Sequence, residues 1–148
     1  MFEIIRSLYT CLKTTIVNNG EKSDAFYCQL GVRQGECLSP FLFAMYINDM
    51  EEKLSNEGAG VKIEDMRILL LFYADDCVIF SETPQGLQRE IDSLFEYCSK
   101  WKLKLNTEKS VIVVFRKGNR NVNFNWNFGG VPLTVCNKVK YLGSVFKE

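Results

Sequence analysis

Ile68-Leu69-Leu70-Leu71-Phe72-Tyr73-Ala74-Asp75-Asp76-Cys77-Val78-Ile79-Phe80 is the stretch on which the reading of this chain turns. It reads as two strongly apolar strands broken only at Tyr73-Ala74-Asp75-Asp76. Two-residue hairpin turns favour Asn-Gly or Asp-Gly, because their backbone needs positive φ, and Ala74-Asp75-Asp76 lacks that chemistry. Placing two carboxylates side by side adds repulsion. By residue type alone the pair is either a tight turn with solvated aspartates or a site for a hard divalent cation, Mg2+ or Mn2+. Such a cation takes oxygen ligands and relieves the repulsion.

Upstream, Gly31-Val32-Arg33-Gln34-Gly35-Glu36-Cys37-Leu38 reads as a loop, and Ser39-Pro40 supplies an N-cap and a proline at the first helical position. The helix that follows carries Leu42, Met45, Tyr46, Met50 and Leu54 on one face and ends before Gly58. Before the loop, Phe2 to Leu12 fits a short amphipathic helix, and two extended stretches (14–17 and 25–30) flank the hairpin signal Asn18-Asn19-Gly20. Downstream, Thr83-Pro84 opens a helix with Leu87, Ile91, Leu94, Phe95, Cys98 and Trp101 in one buried stripe. Val111 to Phe115 is a strand, Gly129-Gly130 turns a hairpin, and Val139 to Phe146 is a last strand. The expected fold class is α+β with an antiparallel sheet.

Composition narrows the chemistry. The chain has 148 residues, one domain's worth, and 47% of them are hydrophobic, enough for a core. Eighteen basic residues balance eighteen acidic ones, so no global field marks a nucleic-acid binder. The charges are segregated, however: Tyr46 to Glu96 holds 12 acidic and 4 basic residues, whereas Lys100 to Arg120 holds 7 basic residues and one acidic, Glu108. Such segregation fits a solvated face or a protein that holds cations and phosphates at neighbouring places. Histidine is absent, which excludes Ser-His-Asp and Cys-His nucleophile systems and every metal site that needs imidazole. Six scattered cysteines without a Cys-x-x-Cys pair point away from a thiolate zinc site and towards a reduced protein. An intracellular location, nucleus or cytoplasm, is expected. No signal peptide or membrane span is read from the sequence.

The motifs carry a resemblance. Phe72 to Phe80 looks like the catalytic hairpin of reverse transcriptases, and Gly31 to Pro40 resembles the motif that precedes it in that family. Leu105-Asn106-Thr107-Glu108-Lys109-Ser110 is similar to the motif that follows, and Tyr141-Leu142-Gly143 to the short strand motif after that. The wording is closest to the enzymes of non-LTR, LINE-like retrotransposons. The resemblance implies RNA-directed DNA polymerase activity on an RNA template, a DNA primer and dNTPs, by nucleotidyl transfer with two divalent ions roughly 4 Å apart. It implies that Asp75 bridges the ions and Asp76 supports them, and that Tyr73 packs near the primer end. Arg33, Gln34 and Gly35 would approach the incoming nucleotide. Ser39-Pro40 would lie near the template as well as cap its helix. Lys109 would protonate or screen the leaving pyrophosphate, unless it is one more surface lysine. Leu142-Gly143 would belong to a strand gripping the primer, or form a bulge in an ordinary one.

One part of the pattern has no counterpart here. The family's first catalytic carboxylate stands on an apolar strand before the Gly31 motif, and the acids available there are only Glu3, Glu21 and Asp24. The expectation is an incomplete palm subdomain spanning 1–148, without fingers, first catalytic palm strand or thumb. Its metal binding is expected to be weak or absent, and its unpaired sheet edge to self-associate. The alternative is a non-catalytic module derived from a reverse transcriptase that binds nucleic acid or protein.

Overall fold

Hairpins dominate the chain, and their turn chemistry explains most of them. The computed structural model describes residues 2–28, 31–55, 59–116 and 123–148. The expected helix end at Gly58 lies outside them, as do Gln29 and Leu30 of the second extended stretch and Lys117 and Arg120 of the basic run. The chain divides into two units, 1–47 and 48–148.

The first unit opens with α1 (Phe2–Tyr9), which ends where the Thr10 hydroxyl bonds back to the Arg6 carbonyl at 2.6 Å. β1 (Leu12–Thr14) pairs antiparallel with β4 (Phe26–Cys28), and β2 (Val17–Asn18) with β3 (Glu21–Lys22). Asn19 and Gly20 both take positive φ, 50° and 86°, the sign pattern of a type I′ turn. The expected hairpin therefore forms, bridged at its interruption by the Ser23 hydroxyl, which accepts the Ile16 N–H. α2 (Ser39–Tyr46) follows the 31–38 loop.

The single helix expected from Ser39 past Leu54 is two helices, because α3 (Met50–Leu54) starts anew after Ile47-Asn48-Asp49. Asn48 and Asp49 are poor helix formers. The Asp49 carboxylate does not cap α3 and instead accepts the Tyr97 hydroxyl at 2.6 Å.

In the second unit β5 (Val61–Ile63) and β6 (Met66–Ile68) form a hairpin that the sequence reading did not include, followed by β7 (Leu70–Tyr73) and β8 (Asp76–Ile79). α4 (Pro84–Trp101) begins as expected: Thr83 is the N-cap and its hydroxyl accepts the Gly86 N–H at 3.0 Å. Of the expected stripe, Leu87 and Trp101 are half-buried and Phe95 is 40% exposed, whereas the other half is buried, Ile91, Leu94 and Cys98 beside Tyr97. They pack with Met50 and Leu54 of α3, and Leu54 is 0% exposed; each such side chain contributes roughly 1.5–3 kcal/mol.

β9 (Val111–Val113) is followed by the hairpin β10 (Asn127–Phe128) and β11 (Val131–Pro132), then β12 (Thr134–Cys136). The expected antiparallel pairing holds for every strand pair among the described residues but one. β12 pairs with β9 in parallel, Thr134 opposite Val111, after a return long enough for such a crossover. α4 holds β10 by side chains: Gln88 donates to the Asn127 carbonyl and accepts its N–H, at 2.8 and 3.0 Å. Trp126 Nε1 donates to the Pro84 carbonyl, and Phe95 meets Phe128 edge-on with ring centroids 5.2 Å apart.

The expected last strand is also a hairpin, β13 (Lys138–Tyr141) and β14 (Ser144–Lys147). Every sheet among the described residues has two strands, so helices are mixed with mostly antiparallel pairs. No helix among them is long and apolar enough to cross a membrane.

Candidate functional site

β7 and β8 pair in the register Leu70 to Ile79, Leu71 to Val78, Phe72 to Cys77 and Tyr73 to Asp76. Strand alternation then sorts the hairpin into two faces. Leu70, Phe72, Cys77 and Ile79 share one. Leu70 is buried, and burial pushes the Cys77 thiol up to about 12, with Cys98 of α4 adding to the effect. Tyr73 and Asp76 stand opposite each other on the other face with Leu71 and Val78, and Tyr73 is 62% exposed. Leu70, Cys77 and Ile79 hold one side while Phe72 beside them is 40% exposed, and the tyrosine and the carboxylate stand exposed on the other. The ladder continues past β8, where the Phe80 N–H reaches the Leu69 carbonyl at 2.8 Å.

The turn is Ala74-Asp75, and only Ala74 of the two takes positive φ, at 54°. That is the sign pattern of a type II′ turn, which favours glycine at its first position. A Cβ there costs roughly 1–2 kcal/mol. The strain sits directly before the two aspartates. Both are exposed, and among the described residues neither carboxylate has a hydrogen bond or an ion pair. Two hard oxygen donors with no competing cation suit a divalent ion. Two ions require a further carboxylate from another strand, and among the described residues no three His, Cys, Asp or Glu side chains gather to hold one. The pair fits half of a two-ion site.

The base of the hairpin rests on a buried acid that the sequence reading passed over. Gly60 bridges Ser81 in parallel, and Glu90 of α4 accepts the Gly60 N–H on Oε1 at 3.1 Å. Glu90 is 1% exposed, and neither its Oε2 nor the Ser81 hydroxyl has a partner in hydrogen-bond geometry. Desolvation holds its carboxyl above the usual carboxylate range, against the opposing pull of the Gly60 N–H, Ser81 and Arg89. A glutamate within the apolar stripe of α4 was the available signal.

The 31–38 loop belongs to the first unit. Arg33 donates to Glu36 Oε1 at 2.6 Å and to the Leu8 carbonyl at 2.9 Å. Gln34 and Gly35 form an exposed turn with Gly35 at φ 86°. Ser39 does not cap its helix as expected: Leu38 occupies the N-cap, already at helical dihedrals and without a side-chain bond. The Ser39 hydroxyl is committed instead to the Arg33 carbonyl at 2.5 Å. Pro40 sits in the first turn of α2, as its missing N–H allows.

Lys109 is exposed, and its N–H meets both the carbonyl and the side-chain oxygen of Asn106. Leu142-Gly143 forms the turn of β13–β14 and no part of a strand, since both take positive φ, 47° and 84°. Lys109 and this turn lie in the same unit as the aspartate hairpin, and no hydrogen bond or ion pair among the described residues ties them to it. Of the basic run, Lys100, Lys102 and Lys104 are exposed, whereas Arg116 is paired with Glu148 through two bonds.

A family profile described as reverse transcriptase (RNA-dependent DNA polymerase) matches residues 1–146. The chain is 26% identical over 98% of its length to the RNA-directed DNA polymerase from mobile element jockey of Drosophila funebris, covering 16% of that protein. It is 32% identical over 75% of its length to the Pol polyprotein of retrotransposable element R2DM of Drosophila melanogaster, covering 10%. It is 27% identical over its whole length to the Pol polyprotein of a type-1 R2 element of Popillia japonica, covering 26%. The chain thus spans between 10% and 26% of these curated relatives.

Proposed function

The chain belongs to the reverse transcriptase (RNA-dependent DNA polymerase) family, and on that premise we propose that it is palm sequence of a non-LTR retroelement polymerase, from just after the first catalytic motif to the primer-grip-like hairpin. The observation that carries this is the β7–β8 hairpin, whose Leu70 side is buried while Tyr73 and the Asp75-Asp76 pair that follows the strained Ala74 are exposed. The activity is extension of a DNA primer on an RNA template with dNTPs. Asp75 and Asp76 would hold Mg2+ (or Mn2+), which supplies charge stabilisation to the attacking and leaving oxygens. Tyr73 supports the primer end, Lys109 the departing pyrophosphate, and Leu142-Gly143 the primer strand. Arg33, Gln34 and Gly35 form the nucleotide-side loop, with Ser39 and Pro40 near the template.

Fusion tests this reading. The fingers and first palm strand of a related element enzyme are joined ahead of residue 1, and its thumb after Glu148. Mg2+-dependent primer extension is expected, with loss on Asp75→Asn because a charged oxygen is removed where charge develops. A folded chimera that binds primed template yet does not extend it would sink the assignment, as would extension indifferent to Asp75→Asn. The outer edge of β7 carries no third strand among the described residues, with Leu71 44% exposed. Self-association of the chain through that edge is the corresponding proposal. A sharp monomer peak in size-exclusion chromatography counts against it.

A further inference from the structure

We infer that Arg33 and Glu36 are positioning residues: with Tyr9 and Ser39 they close a polar ring that sets the conformation of the Gln34-Gly35 turn, and Arg33 is not the cation that meets a triphosphate. This rests on the reading of that turn as the nucleotide-side loop.

The ring is complete within residues 1–47. Arg33 Nη1 donates to Glu36 Oε1 at 2.6 Å, and Nη2 to the Leu8 carbonyl at the end of α1, at 2.9 Å. The guanidinium carbon lies 5.9 Å from the centre of the Tyr9 ring, within cation–π range. The Tyr9 hydroxyl donates to the other Glu36 oxygen, Oε2, at 3.1 Å, and lies 3.4 Å from Ser39 Oγ. Ser39 Oγ in turn donates to the Arg33 carbonyl, and the Ser39 N–H reaches the Glu36 carbonyl at 3.3 Å.

Both ends of the turn are therefore held from α1 and α2, through backbone and side chain alike. Between them Gln34 and Gly35 have no side-chain or loop hydrogen bond among the described residues, and nothing lies within 4 Å of a Cβ built on Gly35. The tip is open and its conformation is dictated by its ends. The charges agree with this division of labour. Arg33 and Glu36 neutralise each other in a short charge-assisted bond, and the Glu36 carboxylate beside the guanidinium repels a phosphate that approaches its other N–H groups.

The two roles predict opposite responses to one substitution. Glu36→Gln removes a negative charge and with it the charge assistance that holds the guanidinium. A phosphate-binding Arg33 would then bind nucleotide more tightly, whereas a positioning Arg33 would bind it less well. The experiment uses the 148-residue chain with Glu36→Gln and Arg33→Lys. Hydrogen exchange over residues 31–38 is measured alongside titration with a fluorescent dATP analogue and Mg2+, and exchange in α2 reports folding of the 1–47 unit. We expect exchange in 31–38 to rise roughly 2- to 5-fold in both variants, the size an exposed ion pair supports, with nucleotide affinity falling. Unchanged exchange in Glu36→Gln, or tighter nucleotide binding by it, overturns the inference. Exchange behaving as expected while no chain binds nucleotide upholds the ring, and the nucleotide reading is then decided by the same titration on the chimera with fingers and thumb, where absence of binding refutes it.

Discussion

Replacing Glu90 by glutamine should stabilise the 48–148 unit, and increasingly so as pH rises. The side chain is 1% exposed; one oxygen accepts the Gly60 N–H, and the other has no partner in hydrogen-bond geometry. Desolvation raises its folded pKa above the unfolded value, which for glutamate is about 4.3. The folded state then binds the proton more tightly than the unfolded state. The stabilisation this gives is complete below the unfolded pKa and is lost as pH climbs through the folded one. Above it, a buried carboxylate oxygen lacks a partner, which costs about 1–3 kcal/mol. Glutamine has the same shape and no charge: its oxygen can keep the Gly60 bond, and its amide can donate to the Ser81 hydroxyl beside it. Thermal melts followed by circular dichroism, from about pH 4 to pH 8, test this. At the acid end the two proteins should melt together. At pH 8 the variant should melt at least ~4 °C higher, since 1 kcal/mol moves a domain of this size by that much. A constant offset across the range would refute the titration argument. A variant that melts lower at pH 8 would show that the carboxylate is satisfied as it stands.

Three further outcomes are expected. The 148-residue chain by itself should not extend a primed RNA template with Mg2+ or Mn2+, because among the described residues no third carboxylate joins Asp75 and Asp76, as two ions would require; extension lost on Asp75→Asn would overturn this. Gly129→Ala should cost about 2–5 kcal/mol in urea unfolding, since its Cβ would enter the Phe95 ring at a residue held at φ 57°; a smaller loss would mean that Phe95 gives way. Ala74→Gly should leave the unfolding midpoint unchanged or raise it, while Ala74→Val should lower stability by about 1–2 kcal/mol; equal midpoints for the two would remove the strain assigned to the turn.

The features legible in the sequence are those whose causes are local. α4 shows its cap, its proline and its stripe within one window, and Asn19-Gly20 and Gly129-Gly130 carry the residues their turns require. The aspartates stood out because they interrupt an apolar run. Where the cause was distant, the reading failed. Leu142 and Glu64 take positive φ without being turn residues, so β13–β14 was read as one strand and β5–β6 was missed. The parallel pairing of β9 with β12 depends on a return of some twenty residues, which no local pattern encodes. Ser39 was read as a cap because its neighbours in sequence suggest one, whereas its partner is the carbonyl of Arg33. Tyr9 and Glu36, 27 residues apart, give no sequence signal of their meeting.

The bond pair between Gln88 and Asn127 has a consequence for how this chain can change. Gln88 engages the peptide of Asn127, N–H and carbonyl alike, and so acts as a short surrogate strand laid against β10. A peptide is the same whatever side chain it bears, proline apart, so mutational drift at position 127 to any residue that keeps its N–H leaves the joint intact. Position 88 has no such latitude: asparagine is one methylene short, glutamate lacks the donor, and lysine lacks the acceptor. Among diverging copies of such a sequence, the constraint would fall on one side of the joint only, on the helix that reaches and not on the strand that is reached.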